Sequence, residues 1–551
     1  MKAIARVLLA SALAACGVAA PAQDSSSVAA MQPIPGDPIE TTAGKVAGTA
    51  VDSQVRAYLG IPYAAPPVGD LRWAAPRPVG WSGIRNADRT GPECVQVLRP
   101  HGINHYFGEE AVSEDCLTLN IWAPAASSAQ KRPVIVFLYG GGFTIGSAGM
   151  PNYGGTEIAR RGAVFVNFNY RLGAFGFLAH PDLSREQGGH SGNYALMDQI
   201  AALRWIKANI AAFGGDPDKV IIIGQSAGAL SVAALLFSPQ AAGLFRGAAM
   251  TSWCNYHDTM PTLAEGEAIG VAVQQRLKAT SLAALRALPA DRILAIQSES
   301  QLGANVAGVR IGGPIVDGFV LPAQKADLLA AGRINRVPII AGSNTDDIDI
   351  LMSPFGRVTT LADYRAAAQA AFGPDAPAFL QRFPATSDAE ANAAARRVAH
   401  LGGFVLAGQQ CARDQATLGQ AAYLDSFTRK HPYTPGVRFS DHDPATVGAY
   451  HTGDIPYWLG TLDVYNRLRR TRDWTAYDRT LATTMMDHLI AFARDGRPGA
   501  DWPAWSTSNR REMVFGDTIA VRPLDVAALA WLQAHPVTRT PLPTRPGAPR
   551  D

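Results

Sequence analysis

Apolar residues arrive along this chain in two kinds of block. Pro133-Val134-Ile135-Val136-Phe137-Leu138 is uninterrupted, as expected of a strand with both faces covered. Gly162 to Tyr170, Val220 to Ile223 and Val337 to Ala341 read the same way. Leu196 to Ile210 instead spaces its apolar residues at a helical period and is broken by Gly214-Gly215-Asp216. Ala229 to Phe237 is a further helical run. Strands alternating with helices predict an α/β fold with a large, mainly parallel sheet and crossover helices.

The ends of the chain have a different texture. Lys2 and Arg6 precede the apolar run Val7 to Ala15, which is too short to span a bilayer and suits an export signal over residues 1–22. Ala20-Pro21-Ala22 offers a cleavage site, whereas Leu13-Ala14-Ala15-Cys16 offers a lipobox that would tether the product to a membrane through an acylated Cys16. Residues 23–38 read as a flexible leader and the proline- and arginine-rich residues 536–551 as a disordered tail. No linker or repeat interrupts the stretch between them, so 39–535 is expected to be one catalytic domain. Val220 to Phe237 is long and apolar, but Gly224, Gln225, Ser226 and Gly228 suit a strand, turn and helix, so no transmembrane helix is expected. The product would be periplasmic, secreted or outer-membrane anchored.

Charge adds little. The net charge is +3 over 551 residues and no Lys/Arg run is present, which gives no footing for a nucleic-acid partner. Five cysteines occur, and loss of Cys16 leaves Cys94, Cys116, Cys254 and Cys411. An even number in an exported chain fits two disulfides, with three pairings possible. A Cys94–Cys116 bond would close a loop of about 20 residues, worth roughly 3 kcal/mol in the chain-entropy account. No Cys/His cluster has zinc-site spacing, so neither a metal nor a cofactor is expected.

The chemistry is concentrated at Gly224-Gln225-Ser226-Ala227-Gly228, a GxSxG pentapeptide between the Val220–Ile223 strand and the Ala229–Phe237 helix. A serine on so sharp a turn is pushed clear of the backbone, and the glycines make room for the turn. Gly140-Gly141-Gly142-Phe143 follows the Pro133–Leu138 strand directly. The N–H groups of Gly141 and Gly142, with that of Ala227, could hold an oxyanion. No GK[ST] follows these glycines and GxGxxG spacing is absent, which sets a nucleotide loop aside.

With these motifs the chain resembles the type B carboxylesterase and cholinesterase family, from about Gly44 to Val521. Phe213-Gly214-Gly215 with Val220 to Gly228 is similar to the family's nucleophile segment, and Glu114-Asp115-Cys116-Leu117-Thr118-Leu119-Asn120-Ile121-Trp122 to its second hallmark. Leu59 to Ala64, Pro66 to Gly69 and Asn169 to Gly173 add agreement. The resemblance implies an α/β-hydrolase fold, with loop and helical insertions forming a gorge or cap. It also implies a serine carboxylesterase acting on small-molecule esters, as a monomer or dimer, without a cofactor. The catalytic set it implies is Ser226 with His451, from Gly448-Ala449-Tyr450-His451, and an acid after the strand ending near Ala341. That acid is Asp347, where the family usually has Glu, with Asp346 as the alternative. Gln225 replaces a more usual Glu, and the Cys94–Cys116 loop has no tryptophan, both of which disfavour a quaternary-ammonium ester. Gln225, Phe143 and Trp253 are the expected pocket residues. A specialised polyester, toxin-ester or amide hydrolase is the alternative activity, and an inactive esterase-like binding module the alternative class.

Overall fold

The computed structural model describes residues 33–97, 111–126, 130–301, 312–347, 355–356 and 358–536. The expected export signal, most of the leader, all but the first residue of the tail and residues 98–110 of the Cys94–Cys116 loop lie outside the described residues. Eleven strands form the central sheet: β1 (Thr49–Ala50), β2 (Val55–Pro62), β3 (Thr118–Pro124), β4 (Arg132–Leu138), β5 (Val164–Phe168), β6 (Gly215–Gln225), β7 (Gly247–Thr251), β8 (Ile339–Asn344), β9 (Ala422–Phe427), β10 (Arg511–Phe515) and β11 (Ile519–Pro523). Their order across the sheet is β11-β10-β9-β8-β7-β6-β4-β5-β3-β2-β1. The six pairings from β5 across to β10 are parallel, and those at either edge are antiparallel. This is the doubly covered, mainly parallel sheet of the α/β-hydrolase fold.

The central strands are apolar on both faces because helices cover both. Val134 to Leu138 and Val220 to Ile223 are all buried. The helices that matter below are α1 (Tyr194–Asn209), α2 (Ala227–Phe237), α3 (Lys325–Ala330), α4 (Asp388–His400), α5 (Leu406–Thr417) and α6 (Ala476–Asp495). Asn120 and Asn167, inside the sheet, look out of place in the sequence but answer each other: Asn120 Oδ1 accepts the Gly60 N–H at 2.8 Å and its amide donates to Asn167 at 2.9 Å. Glu114 of the second hallmark holds Arg72, whose guanidinium also donates to the carbonyls of Arg286 and Leu288. At the expected leader boundary, Asp37 is already packed, accepting from the Gly48 N–H and the Tyr58 hydroxyl.

A smaller aromatic core built on Phe355, Tyr364, Phe372, Phe379, Phe383 and Trp531 lies beside the main one. Most of it comes from the chain between β8 and β9, so the helical insertion carries its own packing. Disulfides join Cys94 to Cys116 and Cys254 to Cys411. Among the described residues no helix is long and apolar enough to cross a membrane.

α2 lies against β4 at one of the tight backbone approaches of the fold. A Cβ on Gly228 would sit 2.0 Å from the Leu138 carbonyl oxygen, whereas one on Gly408, inside α5, would meet only Leu424 at 3.9 Å. Gly408→Ala should be neutral or stabilise by up to about 1 kcal/mol through helix propensity. Gly228→Ala should instead destabilise by about 1–3 kcal/mol, because a strand's backbone cannot yield as a side-chain tip can. Urea unfolding of the two variants checks the contrast, and equal midpoints would contradict it.

Candidate active site

Ser226 sits between β6 and α2 with φ 56° and ψ −122°, a conformation an L-residue adopts only when its surroundings impose it. Here they do. The Ser226 N–H is fixed to the Thr251 carbonyl at 3.0 Å and its own carbonyl accepts from Leu230 N–H at 3.0 Å. Gly224 and Gly228 face each other so tightly that a Cβ on Gly224 would fall 2.2 Å from the Gly228 carbonyl oxygen. The turn therefore exists because residues two before and two after the serine lack side chains.

Gly141, with φ 112°, Gly142 with φ 61° and Phe143 with φ 64° turn the chain after β4. The Gly141 carbonyl accepts from the N–H groups of Thr144 and Ile145, and Phe143 O from Gly173 N–H, which clamps the loop. Among the described residues neither the Gly141 nor the Gly142 N–H finds an acceptor. Gly142 and Ala227 line the same cavity as Ser226.

His451 Nδ1 lies 2.7 Å from Oδ1 of Asp347, whose side chain has no exposed surface. The other Asp347 oxygen accepts the Asn344 N–H at 2.7 Å. Asp346 has a different occupation: its oxygens meet Arg396 Nη1 at 2.9 Å and the Ala449 N–H at 2.9 Å. It thus binds the loop carrying the histidine without touching the imidazole. Asn344 makes a second tie, donating from its amide to the Tyr450 carbonyl at 2.7 Å and to Asp454 at 3.0 Å. The sequence reading did not pick out Asn344 or Asp454, because an amide and a carboxylate in loops carry no pattern until the loops meet.

Opposite Asp347, His451 Nε2 lies 3.1 Å from the amide nitrogen of Gln225. With Nδ1 donating to Asp347, Nε2 is the acceptor and Gln225 the donor. Burial pulls the His451 pKa down, but the hydrogen bond and charge of Asp347, helped by Asp454, outweigh it and raise it above the ordinary histidine value. With 38% of its side chain open to the cavity, the ring is incompletely desolvated, which weakens the downward pull. Asp454, buried and close to the Asp347 charge, is pushed up to about 6. Ser343 and His400 form another serine–histidine contact at 2.9 Å, but both are buried and neither lines this cavity.

The cavity holds about 900 Å³. Phe143, packed edge-to-face on Phe177, and Trp253, packed the same way on Phe404, both line it. Gln225 is buried beneath His451 and is absent from the wall, so its contact is with the imidazole. Among the described residues no group of three or more His, Cys, Asp or Glu could hold a metal ion.

Residues 36–522 match the profile of the Carboxylesterase family. The fumonisin B1 esterase of Sphingopyxis macrogoltabida is 36% identical over 492 residues, covering 87% of this chain and 86% of that protein. The para-nitrobenzyl esterase of Bacillus subtilis (strain 168) is 31% identical over 500 residues, covering 88% and 95%. A solved structure of PNB esterase superposes with a TM-score of 0.73 at 28% identity, covering 90% of this chain and 98% of that one. A nearly whole-length match, on a fold that presents a serine at its sharpest turn, places this chain in the carboxylesterase family, the carboxylic ester hydrolases.

Proposed function

We propose that hydrolysis runs through Ser226 as nucleophile, His451 as base and Asp347 as the acid that orients it. The contact that carries this reading is His451 Nδ1 to Asp347 at 2.7 Å, beside a serine held at φ 56°. Asp347 fixes the tautomer, leaving the Nε2 lone pair toward the cavity. In the resting site that lone pair takes the Gln225 amide hydrogen. Ser226 lines the same cavity as His451 and is the donor that replaces Gln225 in the reacting complex, as such contacts commonly tighten only with substrate bound.

Attack by Ser226 Oγ on the ester carbonyl passes its proton to His451 Nε2 and forms a tetrahedral oxyanion. The free N–H groups of Gly141 and Gly142, with that of Ala227 at the start of α2, receive that charge. His451 then returns the proton to the departing alcohol. Water, deprotonated by the same nitrogen, releases the acid from the acyl-enzyme. A cavity of about 900 Å³ accommodates a sizeable small-molecule ester. Two disulfides among the described residues support an oxidising destination. With the signal-like start of the chain, they favour an exported enzyme, tethered only if Cys16 is acylated.

Ser226→Ala should lower kcat on 4-nitrophenyl acetate on the order of 10⁶-fold while leaving the fold intact by circular dichroism. Turnover near the parent rate would end the assignment.

The roles of the two neighbouring aspartates separate cleanly. Asp347→Asn should lower kcat about 10⁴-fold, since it leaves the imidazole in the wrong tautomer. Asp346→Asn should act mainly through loop placement and cost far less. Steady-state kinetics showing the reverse order would transfer the acid role to Asp346.

The pH dependence follows from the raised His451 pKa. Only neutral imidazole accepts the serine proton, so activity is present above that pKa and is lost as pH falls through it. The acid limb of kcat/KM should therefore have its midpoint above the ordinary histidine value of about 6.5. Gln225→Glu, which adds a negative charge beside Nε2, should move the midpoint further up. A midpoint below the ordinary value, or one that Gln225→Glu moves down, would contradict the geometry.

A further inference from the structure

One wall of the cavity carries charged groups that hydrolysis does not use. Lys325, the first residue of α3, is only 2% exposed, and its ammonium lies 2.6 Å from Oδ1 of Asp258. Both residues line the cavity that contains Ser226. Burial lowers the Lys325 pKa and Asp258 only partly offsets it, so the ammonium is poorly compensated where it stands. An ammonium has three N–H donors. Among the described residues Asp258 is the one acceptor that Lys325 meets.

The wall is rigid. The Met260 N–H donates to Gln324 Oε1 at 2.9 Å, and the Gln324 amide donates back to the Met260 carbonyl at 2.7 Å. His257 Nε2 lies 2.8 Å from Asp414 Oδ2, and the Cys254–Cys411 disulfide ties the start of this segment to α5. The pair also has a defined place relative to the chemistry. Leu230 and Ala234 line the cavity along α2, on which α3 packs. At 1.5 Å per residue, Ala234 lies about 12 Å from Ser226. Apolar side chains share this lining, among them Leu230, Met260 and Ile269.

The surrounding charges decide which ligand group fits. Arg396 is matched by Asp346, Lys325 by Asp258 and His451 by Asp347, and Asp441 and Asp443 stand at the rim. A carboxylate would enter as an unmatched third charge beside an already neutral pair, in a site that holds more acids than bases. A methyl group would leave the remaining ammonium donors unanswered. A hydroxyl accepts from Lys325 and donates to Asp258 without adding charge.

We infer that Lys325 and Asp258 form a polar subsite that selects esters bearing a neutral donor–acceptor group, a hydroxyl above all, at the end of the substrate arm that runs along α2. The inference rests on the reading of Ser226 as nucleophile, which sets the other end of that arm.

Matched esters test it in the intact enzyme. Chains are lengthened stepwise from butyl to dodecyl, once on the acyl side and once on the alcohol side, and end in methyl, hydroxyl or carboxylate. At one length on one arm, kcat/KM for the hydroxyl ester should exceed that for the methyl ester about tenfold, with the carboxylate ester below both. In the double variant Lys325→Met/Asp258→Leu, which removes the pair without stranding either charge, the hydroxyl-to-methyl ratio should fall to about one. A ratio near one at every length on both arms of the parent enzyme overturns the inference. So does a carboxylate preference, or a hydroxyl preference that survives in the double variant. The parent series decides alone if the double variant does not fold. Failure of the parent enzyme to cleave 4-nitrophenyl acetate would strike the Ser226 reading instead, so the two failures are distinguishable.

Discussion

The site depends on a helix being allowed to touch a sheet. α2 starts so close to the end of β4 that the Gly228 Cα occupies the only space the Leu138 carbonyl leaves, and Gly224 closes against Gly228 in turn. That proximity forces Ser226 into a left-handed backbone conformation. It also lays the beginning of α2 beside the turn that carries Gly141 and Gly142. Ser226 and the oxyanion donors proposed above therefore share one origin: they lie on two backbone segments that no side chain keeps apart. The strain at Ser226 persists because relaxing it would require a strand and a helix to separate across a buried core.

The acid and histidine are held by a different device. Residues 345–347, after β8, and 448–454, before Ile455, lie outside helices and strands, and polar side chains fasten one to the other. Asp346 grips the Ala449 N–H and Asn344 grips the Tyr450 carbonyl, on either side of the contact between Asp347 and His451. With these contacts in place the Asp347 carboxylate reaches the imidazole at 2.7 Å.

Much of this was legible before any coordinates. Uninterrupted apolar runs became β4 and β6, and the flanks of the pentapeptide gave the strand, turn and helix around Ser226. Boundaries drifted by a few residues, as for the run from Gly162 to Tyr170, which is a strand only over Val164–Phe168. The motifs put Asp347 in the acid slot with Asp346 as the alternative, and what each touches could not be read. Asn344, Asp454 and the Lys325–Asp258 pair escaped for a common reason. Their meaning comes from partners 100 or more residues away, or from burial, and neither leaves a local period. The contact of Gln225 with Nε2 was invisible in the same way, since the sequence suggested a pocket wall rather than a ligand of the imidazole.

The Cys254–Cys411 bond joins two segments separated by 157 residues and anchors the cavity wall, and Asp258, Lys325 and Asp347 all lie within the loop it closes. Redox history therefore acts on the cavity wall and on the segment carrying Asp347 together. A molecule matured without this bond keeps its reactive serine but presents a wall with one tether fewer. The same polypeptide made in a reducing and in an oxidising compartment differs in how firmly one long loop is held, cavity wall and Asp347 segment alike.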